Sequence, residues 1–401
     1  MQEEDNDRPV ARAIKKLGAF THNSFTVVAM RVNWRRSSKG PGMNVLSRAG
    51  TSLLCVSCFV FQVSAQQPTG PALLPAAKTR LTLDVAVTDH AGKTVKGLTE
   101  KDFTVLTNGH PQDILSFEAS GGGVSTTNVQ PAGPPVKIIL LVDEVNTNFT
   151  RVAYEREQIK TFLLRNEGVL DHPVSMAFFS DKGTEIQNNS SRDGNALLAS
   201  FDQHETALRS VRRSEGFYGA VERFQLSLTS LQSLTAKEAQ VPGRKMVVWI
   251  SPGWPLLSGP NVELGAKDEA RLFASIVAVS NALREARMTL YSVDPQGAES
   301  AGGARNFYYK DFLKPVTSAR IVVPANLALQ VLAVQTGGLA LTASNDIAGQ
   351  IAQCVADSDT FYTLTVDTTA ADRPNEYHAI EVKVATPGLT VRTRNGYYAQ
   401  P

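Results

Sequence analysis

Oxygen-bearing side chains cluster directly after an apolar run in the middle of the chain. The run covers residues 136–142, and the side chains that follow it are Asp143, Glu144, Asn146 and Thr147. Two carboxylates and two neutral oxygens in so short a stretch suit a hard divalent cation such as Mg²⁺, which prefers oxygen ligands and keeps some of its waters. The stretch therefore has the chemistry of a metal or ligand site.

Two more acids near predicted elements extend this set. Glu215 comes just before a helical pattern, and Asp294 lies at the end of the apolar run that starts at residue 288. Paired carboxylates can divide the roles of acid and base when their surroundings separate their pKa values. Asp143, Glu215 and Asp294 therefore leave open the alternative of an enzyme of unknown class.

Strands and helices alternate through residues 136–357, and this region must position the candidate side chains. The alternation predicts an α/β fold with a doubly wound, mostly parallel sheet. Ligands bind such sheets beyond the carboxyl ends of the strands, where the strand order reverses. Asp143, Ser251 and Asp294 end or follow predicted strands, so we expect them at this edge, with Glu215 nearby. The predicted strands are 136–142, 174–180, 245–253, 288–295 and 337–343, with a short edge strand at 184–188, and the predicted helices are 151–165, 194–201, 216–234, 266–287, 326–335 and 346–356.

The segments on either side of this region, residues 79–120 and 358–401, alternate between apolar and polar residues as half-buried strands do. Asn108-Gly109 lies between two strand-like runs and predicts a hairpin. A linker-like composition at 121–135 separates the first segment from the α/β domain, predicted at 136–357. We expect the two flanking segments to join in one β-sandwich into which the α/β domain is inserted.

The amino-terminal part predicts processing rather than a folded domain. Residues 43–65 have a basic start, a short apolar run and small residues before the end, which is the pattern of a signal peptide. We expect translation to start at Met43, residues 1–42 to be disordered or wrongly assigned, and residues 66–78 to be a linker. The protein would then be secreted or periplasmic. No later run is long and apolar enough to predict a transmembrane anchor.

The composition argues against several functional classes. Lys and Arg number 40 against 38 Asp and Glu, so no general affinity for nucleic acid is expected. The six histidines show no metal-binding spacing, and no Gly-rich phosphate loop or Gly-x-Ser-x-Gly motif is present. Cys55 and Cys58 fall inside the predicted signal peptide, which leaves Cys354 as a small apolar core residue.

The pattern of the central region resembles a von Willebrand factor type A (VWFA) domain. One strand ends in Asp143, a helix follows it, and there are five such strands in all. The chain is similar in particular to exported bacterial VWFA-related proteins of the acidobacterial type. Segments 85–118, 140–147, 335–347 and 377–399 carry this resemblance, which extends over nearly the whole predicted mature chain. The resemblance implies a type A domain flanked by β-strands, and it does not specify a molecular function.

In type A domains that bind metal, the ligands come from an Asp-x-Ser-x-Ser motif, a Thr of a later loop and an Asp after the fourth strand. The resemblance places Asp143 at the first position, Val145 at the first Ser and Thr147 at the second. Glu215 falls near the loop Thr, and Pro252 falls at the late Asp. Val145 and Pro252 offer no side-chain oxygen, so the implied metal set is reduced to Asp143, Thr147 and Glu215, and Mg²⁺ would bind weakly or not at all. The alternative is that Asp143 and Asn146 cap the following helix.

These observations favour a non-enzymatic, exported binding protein of the adhesion type. Its carboxyl-edge loops would contact a protein or a cell-envelope component. We expect Glu144 and Asn146 to contact the partner, together with Trp254, which follows Pro252-Gly253 and would be an exposed anchor. The enzyme described above is the alternative, and a structural remnant without a ligand at this edge is the third possibility.

Overall fold

The computed structural model describes residues 80–120, 136–187, 189–204, 216–257, 264–298 and 309–401. The predicted signal peptide at 43–65, the segments 1–42 and 66–78, the linker at 121–135 and the candidate residue Glu215 lie outside the described residues. In the described part of the chain, no helix is both long and apolar enough to cross a bilayer.

The centre of the α/β region is a seven-stranded sheet whose inner strands are apolar on both faces. In the strand Lys245–Ile250, for example, every residue is buried. Five of the strands are parallel, and two short strands run antiparallel at one side, as the sequence pattern predicts for a mostly parallel sheet. The strands are β5 (Lys137–Asp143), β6 (Val169–Ser180), β7 (Gly183–Ile186), β8 (Ser191–Asp193), β9 (Lys245–Ile250), β10 (Met288–Val293) and β11 (Ala340–Leu341), in the spatial order β11-β10-β9-β5-β6-β7, with β8 also beside β6.

Helices cover both faces of this sheet because successive strand residues point to opposite sides. Ile139 and Leu141 of β5 pack into one buried cluster, and Ile138 and Leu140 pack into another. The first cluster includes side chains of α3 (Gly216–Glu238), α4 (Ala266–Glu285) and α5 (Leu329–Gln335), and the second includes side chains of α1 (Phe149–Leu163), α2 (Gly194–Gln203) and α6 (Ile347–Ala356).

Strands from the two ends of the described chain pair in two antiparallel sheets. One sheet has the order β14-β1-β12-β4 and the other β15-β13-β2-β3. The two sheets share one hydrophobic cluster, in which the ring of Phe103 lies 5.0 Å from that of Tyr362. The strands are β1 (Arg80–Thr88), β2 (Phe103–Thr107), β3 (His110–Gln112), β4 (Ser116–Ser120), β12 (Phe361–Asp367), β13 (Glu376–Val384), β14 (Thr390–Arg392) and β15 (Gly396–Ala399).

Some predicted boundaries differ from those that the structure shows. The second strand of the predicted hairpin is expected from residue 113, but it begins at His110, directly after Asn108 and Gly109, which both have positive φ. The strand predicted at 337–343 shortens to β11: Gly337 has φ of 89°, and the Gly338 N–H bonds to the Ala333 carbonyl oxygen at the end of α5 rather than to a neighbouring strand.

Buried and partly buried ion pairs connect these antiparallel sheets to the α/β region. Asp357, just after α6, accepts hydrogen bonds from Arg392 of β14 (2.6 Å) and from the Tyr291 hydroxyl of β10 (2.8 Å). Arg287, just before β10, forms two hydrogen bonds with the carboxylate of Asp84 on β1. The amino-terminal ends of the parallel strands are therefore held against the antiparallel sheets by charged side chains.

Candidate functional site

Asp143 lies at the point where the strand order of the parallel sheet reverses. The chain leaves β5 for β6 on one side, and β9 lies on the other. Asp143 ends β5, and Ser251 directly follows β9 at the same level. This is the position at which doubly wound sheets bind ligands. The sequence therefore identified the correct edge of the sheet for Asp143 and Ser251.

The carboxylate of Asp143 is fully occupied by donors of the protein itself. Its Oδ1 accepts hydrogen bonds from the backbone N–H groups of Val145 (3.0 Å) and Asn146 (2.8 Å). Its Oδ2 accepts from Asn146 Nδ2 (2.9 Å), Ser251 Oγ (2.8 Å) and Trp249 Nε1 (3.1 Å). Five donors fill the lone-pair directions that a metal ion or a substrate would need.

The structure seals this carboxylate away from solvent. Asp143 is 0% exposed, and Glu144 and Thr147 are also buried. Burial raises the pKa of Asp143, and the hydrogen bonds from Asn146, Ser251 and Trp249 oppose that rise. None of the three side chains therefore lies on the surface, and the expectation that Glu144 contacts a partner is wrong.

Trp254 is buried as well, and the expectation of an exposed anchor at this position is wrong. Its side chain is 1% exposed, and its ring packs edge-on against Trp249 at a centroid distance of 5.1 Å. Gly253, directly before Trp254, has φ of 92°, a conformation that favours glycine. The loop that follows β9 thus covers the region of Asp143 instead of projecting from it.

Glu144 points away from Asp143 to the other side of the strand. Its Oε1 lies 3.1 Å from His204 Nε2, and the His204 ring stacks on Phe178 at a centroid distance of 3.7 Å. Asn146 is partly buried, and its Nδ2 also donates to Ser227 Oγ of α3 (3.0 Å). Glu144 and Asn146 therefore tie β5 to α2 and α3, and neither presents its polar atoms mainly to a partner.

A third buried acid, Glu155 of α1, lies near this network. It is 3% exposed, and its Oε1 has no hydrogen-bond partner among the described residues. Burial raises its pKa well above the ordinary value, the negative charge of Asp143 adds to the rise, and a hydrogen bond with Thr147 opposes it. Glu155 is therefore the group at this edge with the strongest reason to hold a proton.

The residues implied for Mg²⁺ do not fit the ion in this arrangement. Asp143 already accepts five hydrogen bonds, and Val145 is a buried apolar residue. The Pro252 carbonyl oxygen accepts a hydrogen bond from Gln330 Nε2. Among the described residues, which exclude Glu215, no three His, Cys, Asp or Glu side chains are grouped as metal ligands.

The helix-capping alternative is also wrong in its detail. The N-cap residue of α1 is Asn148, whose side chain makes no capping hydrogen bond. Asp143 instead accepts from the backbone of Val145 and Asn146, and so it fixes the loop before the helix. Its role is to shape the turn at the end of β5.

Asp294 follows β10, two strands away from β5 in the sheet. The strand pairings place Asp294, Ser251 and Asp143 in one row, so about 10 Å separates the two acids along the sheet. Ser251 lies between them, and Asp294 is itself buried and accepts a hydrogen bond from the backbone of Gln296. The structure does not bring these two carboxylates together as a catalytic pair.

Sequence reasoning missed Glu155 and His204. Glu155 stands four residues before Ile159 and seven before Phe162, both buried in the core. A charged residue in the apolar stripe of a helix is the signal that could have identified it. His204 gave no comparable signal, because its contact with Glu144 spans 60 residues of sequence.

The raised pKa of Glu155 predicts that stability falls as pH rises. The folded protein keeps this proton at pH values where the unfolded chain has lost it. The contribution of Glu155 to the free energy of unfolding is therefore complete below the ordinary pKa of Glu, and it declines as pH rises toward the folded-state pKa. We expect Glu155→Gln to unfold at higher urea concentration than the wild type at neutral pH, with little difference near about pH 4.

The matched control for this prediction is Glu157→Gln, because Glu157 lies on the same helix with its side chain 65% exposed. Urea unfolding of the three proteins across this pH range measures the effect. Parallel stability profiles for wild type and Glu155→Gln would show that Glu155 does not carry the proton.

No protein-family model matches the chain, and no curated protein matches its sequence. Similar solved structures include the human COPII-coat protein Sec24c (TM-score 0.31, 12% identity, covering 71% of this chain and 46% of that one). The pilus adhesin SpaC from Lactobacillus rhamnosus GG has a TM-score of 0.32 and 12% identity over 66% of this chain and 45% of the adhesin. The SpRpn10 VWA domain has a TM-score of 0.20 and 11% identity over 40% of this chain and 88% of that domain. The chain spans about half the length of the first two proteins.

Proposed function

We propose that this chain is an exported, non-enzymatic binding protein whose α/β domain is of the VWFA type and contacts a protein of the cell envelope without a metal ion. The observation that carries the proposal is a contrast in exposure between two side chains on the carboxyl side of the parallel sheet. Asp143 is sealed and bonded to five donors, whereas Tyr218, in the first turn of α3, is 74% exposed.

Tyr218 lies on the carboxyl side of the sheet, because α3 begins on that side and runs back toward the start of β9. Ser227 of the same helix contacts Asn146, and Tyr218 lies nine residues earlier, or about 14 Å farther along the axis. Glu222, one turn after Tyr218, is also exposed. An exposed Tyr beside a charged residue has the chemistry of an anchor in a protein interface, since Tyr supplies a large contact area and a polar tip.

This assignment replaces Trp254, Glu144 and Asn146 as the expected contact residues. The three side chains are buried or bonded within the protein, so a partner would have to unfold the edge to reach them. The same argument weighs against the enzyme alternative, because a general base needs a lone pair that a substrate can reach. A surface anchored at Tyr218 requires no such rearrangement.

Site-specific photo-crosslinking tests this function. A photoreactive phenylalanine analogue replaces Tyr218 in one variant and Val169 in the other. Val169 is 59% exposed at the start of β6, which is the opposite edge of the sheet. In envelope extract containing EDTA, we expect a discrete adduct from position 218 and none from position 169. Equal adducts from both positions, or no adduct from position 218, would contradict the proposal.

A further inference from the structure

A small cavity lies between the parallel sheet and β1, far from the carboxyl edge. Its volume is about 10 Å³, room for one particle about the size of a water molecule. Three arginines line it, at the end of α4, just before β10, and between β14 and β15. They are Arg284, Arg287 and Arg394.

The cavity contains more positive than negative charge. Asp84 is the carboxylate in its lining, and Arg287 Nη2 and Nε already donate to it at 2.5 and 3.3 Å. Thr363 donates to Asp84 as well. The negative end of the α4 dipole adds about half an elementary charge near Arg284. The Asp84 carboxylate and the helix dipole together offset about one and a half of the three guanidinium charges. The cavity therefore keeps an excess of between one and two positive charges.

Arg394 is the group whose charge is least compensated. It is 9% exposed, its guanidinium makes no ion pair or hydrogen bond with the residues that the structure describes, and the more distant charge of Asp84 offsets its own only in part. Burial and the charge of Arg284 lower the pKa of Arg394 to about 10. A buried charge without a partner costs several kcal/mol in proteins, which favours an anionic acceptor beside Arg394.

Two more donors in the same lining lack acceptors. Arg284 Nε and Thr393 Oγ1 are buried without a hydrogen-bond partner among the described residues. The nearest ion pair of Arg284 is long, at 3.7 Å to Glu285, whose side chain is 66% exposed. Guanidinium and hydroxyl donors around one void are suited to an anion, and among the described residues of the lining no second carboxylate competes for them.

We propose that this cavity binds one small monovalent anion such as chloride, held by Arg394, Arg284 and Thr393. The excess positive charge of the lining calls for an anion, and the small volume favours a monatomic ion over the four oxygens of phosphate. The anion would join the antiparallel sheets to the α/β region, since Thr393 and Arg394 belong to the former and Arg284 to the latter.

Thermal unfolding of the wild-type protein at constant ionic strength tests the site, with gluconate replaced stepwise by chloride, bromide or phosphate. We expect Tm to rise by about 3 °C for each tenfold increase in chloride above the dissociation constant. Bromide should act as chloride does, and phosphate should not. An absence of chloride dependence, or an equal effect of phosphate, would overturn the proposal.

Two variants assign the effect to this cavity. Arg394→Gln should lose the dependence on chloride and should be at least as stable as the wild type in gluconate, because it removes an uncompensated charge. Arg320→Gln, at an exposed arginine in a short 3₁₀ turn, should keep the wild-type dependence. Bromide-soaked crystals of the wild type should show anomalous density between Arg394 and Thr393. The same chloride dependence in Arg394→Gln, or no density there, would contradict the assignment.

Discussion

Replacement of Asp143 by Ala is expected to lower the free energy of unfolding by about 3–5 kcal/mol. The substitution leaves five donors without an acceptor, and Trp249 Nε1 is in a position that water does not reach. Asp143→Asn should also destabilise the fold, because its amide NH₂ group would face the donors that now bond to Oδ2. Urea unfolding at neutral pH measures both variants.

The control for this prediction is Asp89→Ala. Asp89 accepts two backbone N–H bonds in the exposed turn after β1, from Ala91 and Lys93 at 2.9 Å each. Loss of a comparable turn contact in water should cost about 1 kcal/mol. If the Asp143 and Asp89 variants lost equal stability, the buried network would not have the structural role assigned to it.

Asp357→Ala is expected to destabilise the protein by a similar amount, about 3–5 kcal/mol, because removing one partner of a buried ion pair leaves the other charge uncompensated. Arg392 would lose its 2.6 Å hydrogen bond, and the buried Tyr291 hydroxyl would lose its acceptor. The backbone carbonyl of Asp357 would still accept from Arg244. The midpoint of urea unfolding measures the loss.

A double variant separates the charge from the packing at this position. Asp357→Leu combined with Arg392→Met removes both charges, and paired apolar replacements of buried ion pairs are often neutral. We therefore expect the double variant to be more stable than Asp357→Ala alone. If the double variant lost as much free energy of unfolding as the two single variants lose together, the pair would not act as a unit.

The elements of the fold were predictable because they depend on short-range patterns. The continuous apolar run before Asp143 gave a strand buried on both faces, and the stripe that includes Leu272, Ile276 and Leu283 gave the helix α4. Asn108-Gly109 gave the hairpin turn because both residues adopt positive φ without strain. Periodicity and turn chemistry were sufficient in these cases.

The state of the candidate site was not predictable in the same way, because its decisive contacts are distant in sequence. Trp249 and Ser251, which bond to Asp143, are 106 and 108 residues away from it. Trp254 follows a Pro-Gly turn and has no periodic pattern to show its burial. The sequence therefore predicted where the acids lie in the sheet, but it did not predict that the protein itself satisfies Asp143.

Titration of Mg²⁺ into the wild-type protein, followed by isothermal calorimetry at neutral pH, tests most directly whether the carboxyl-edge acids serve the fold rather than a ligand. With Asp143 filled by five internal donors, we expect no saturable heat and no rise in Tm on adding the ion. A saturable heat in the wild type that disappears in Asp143→Asn would contradict this account.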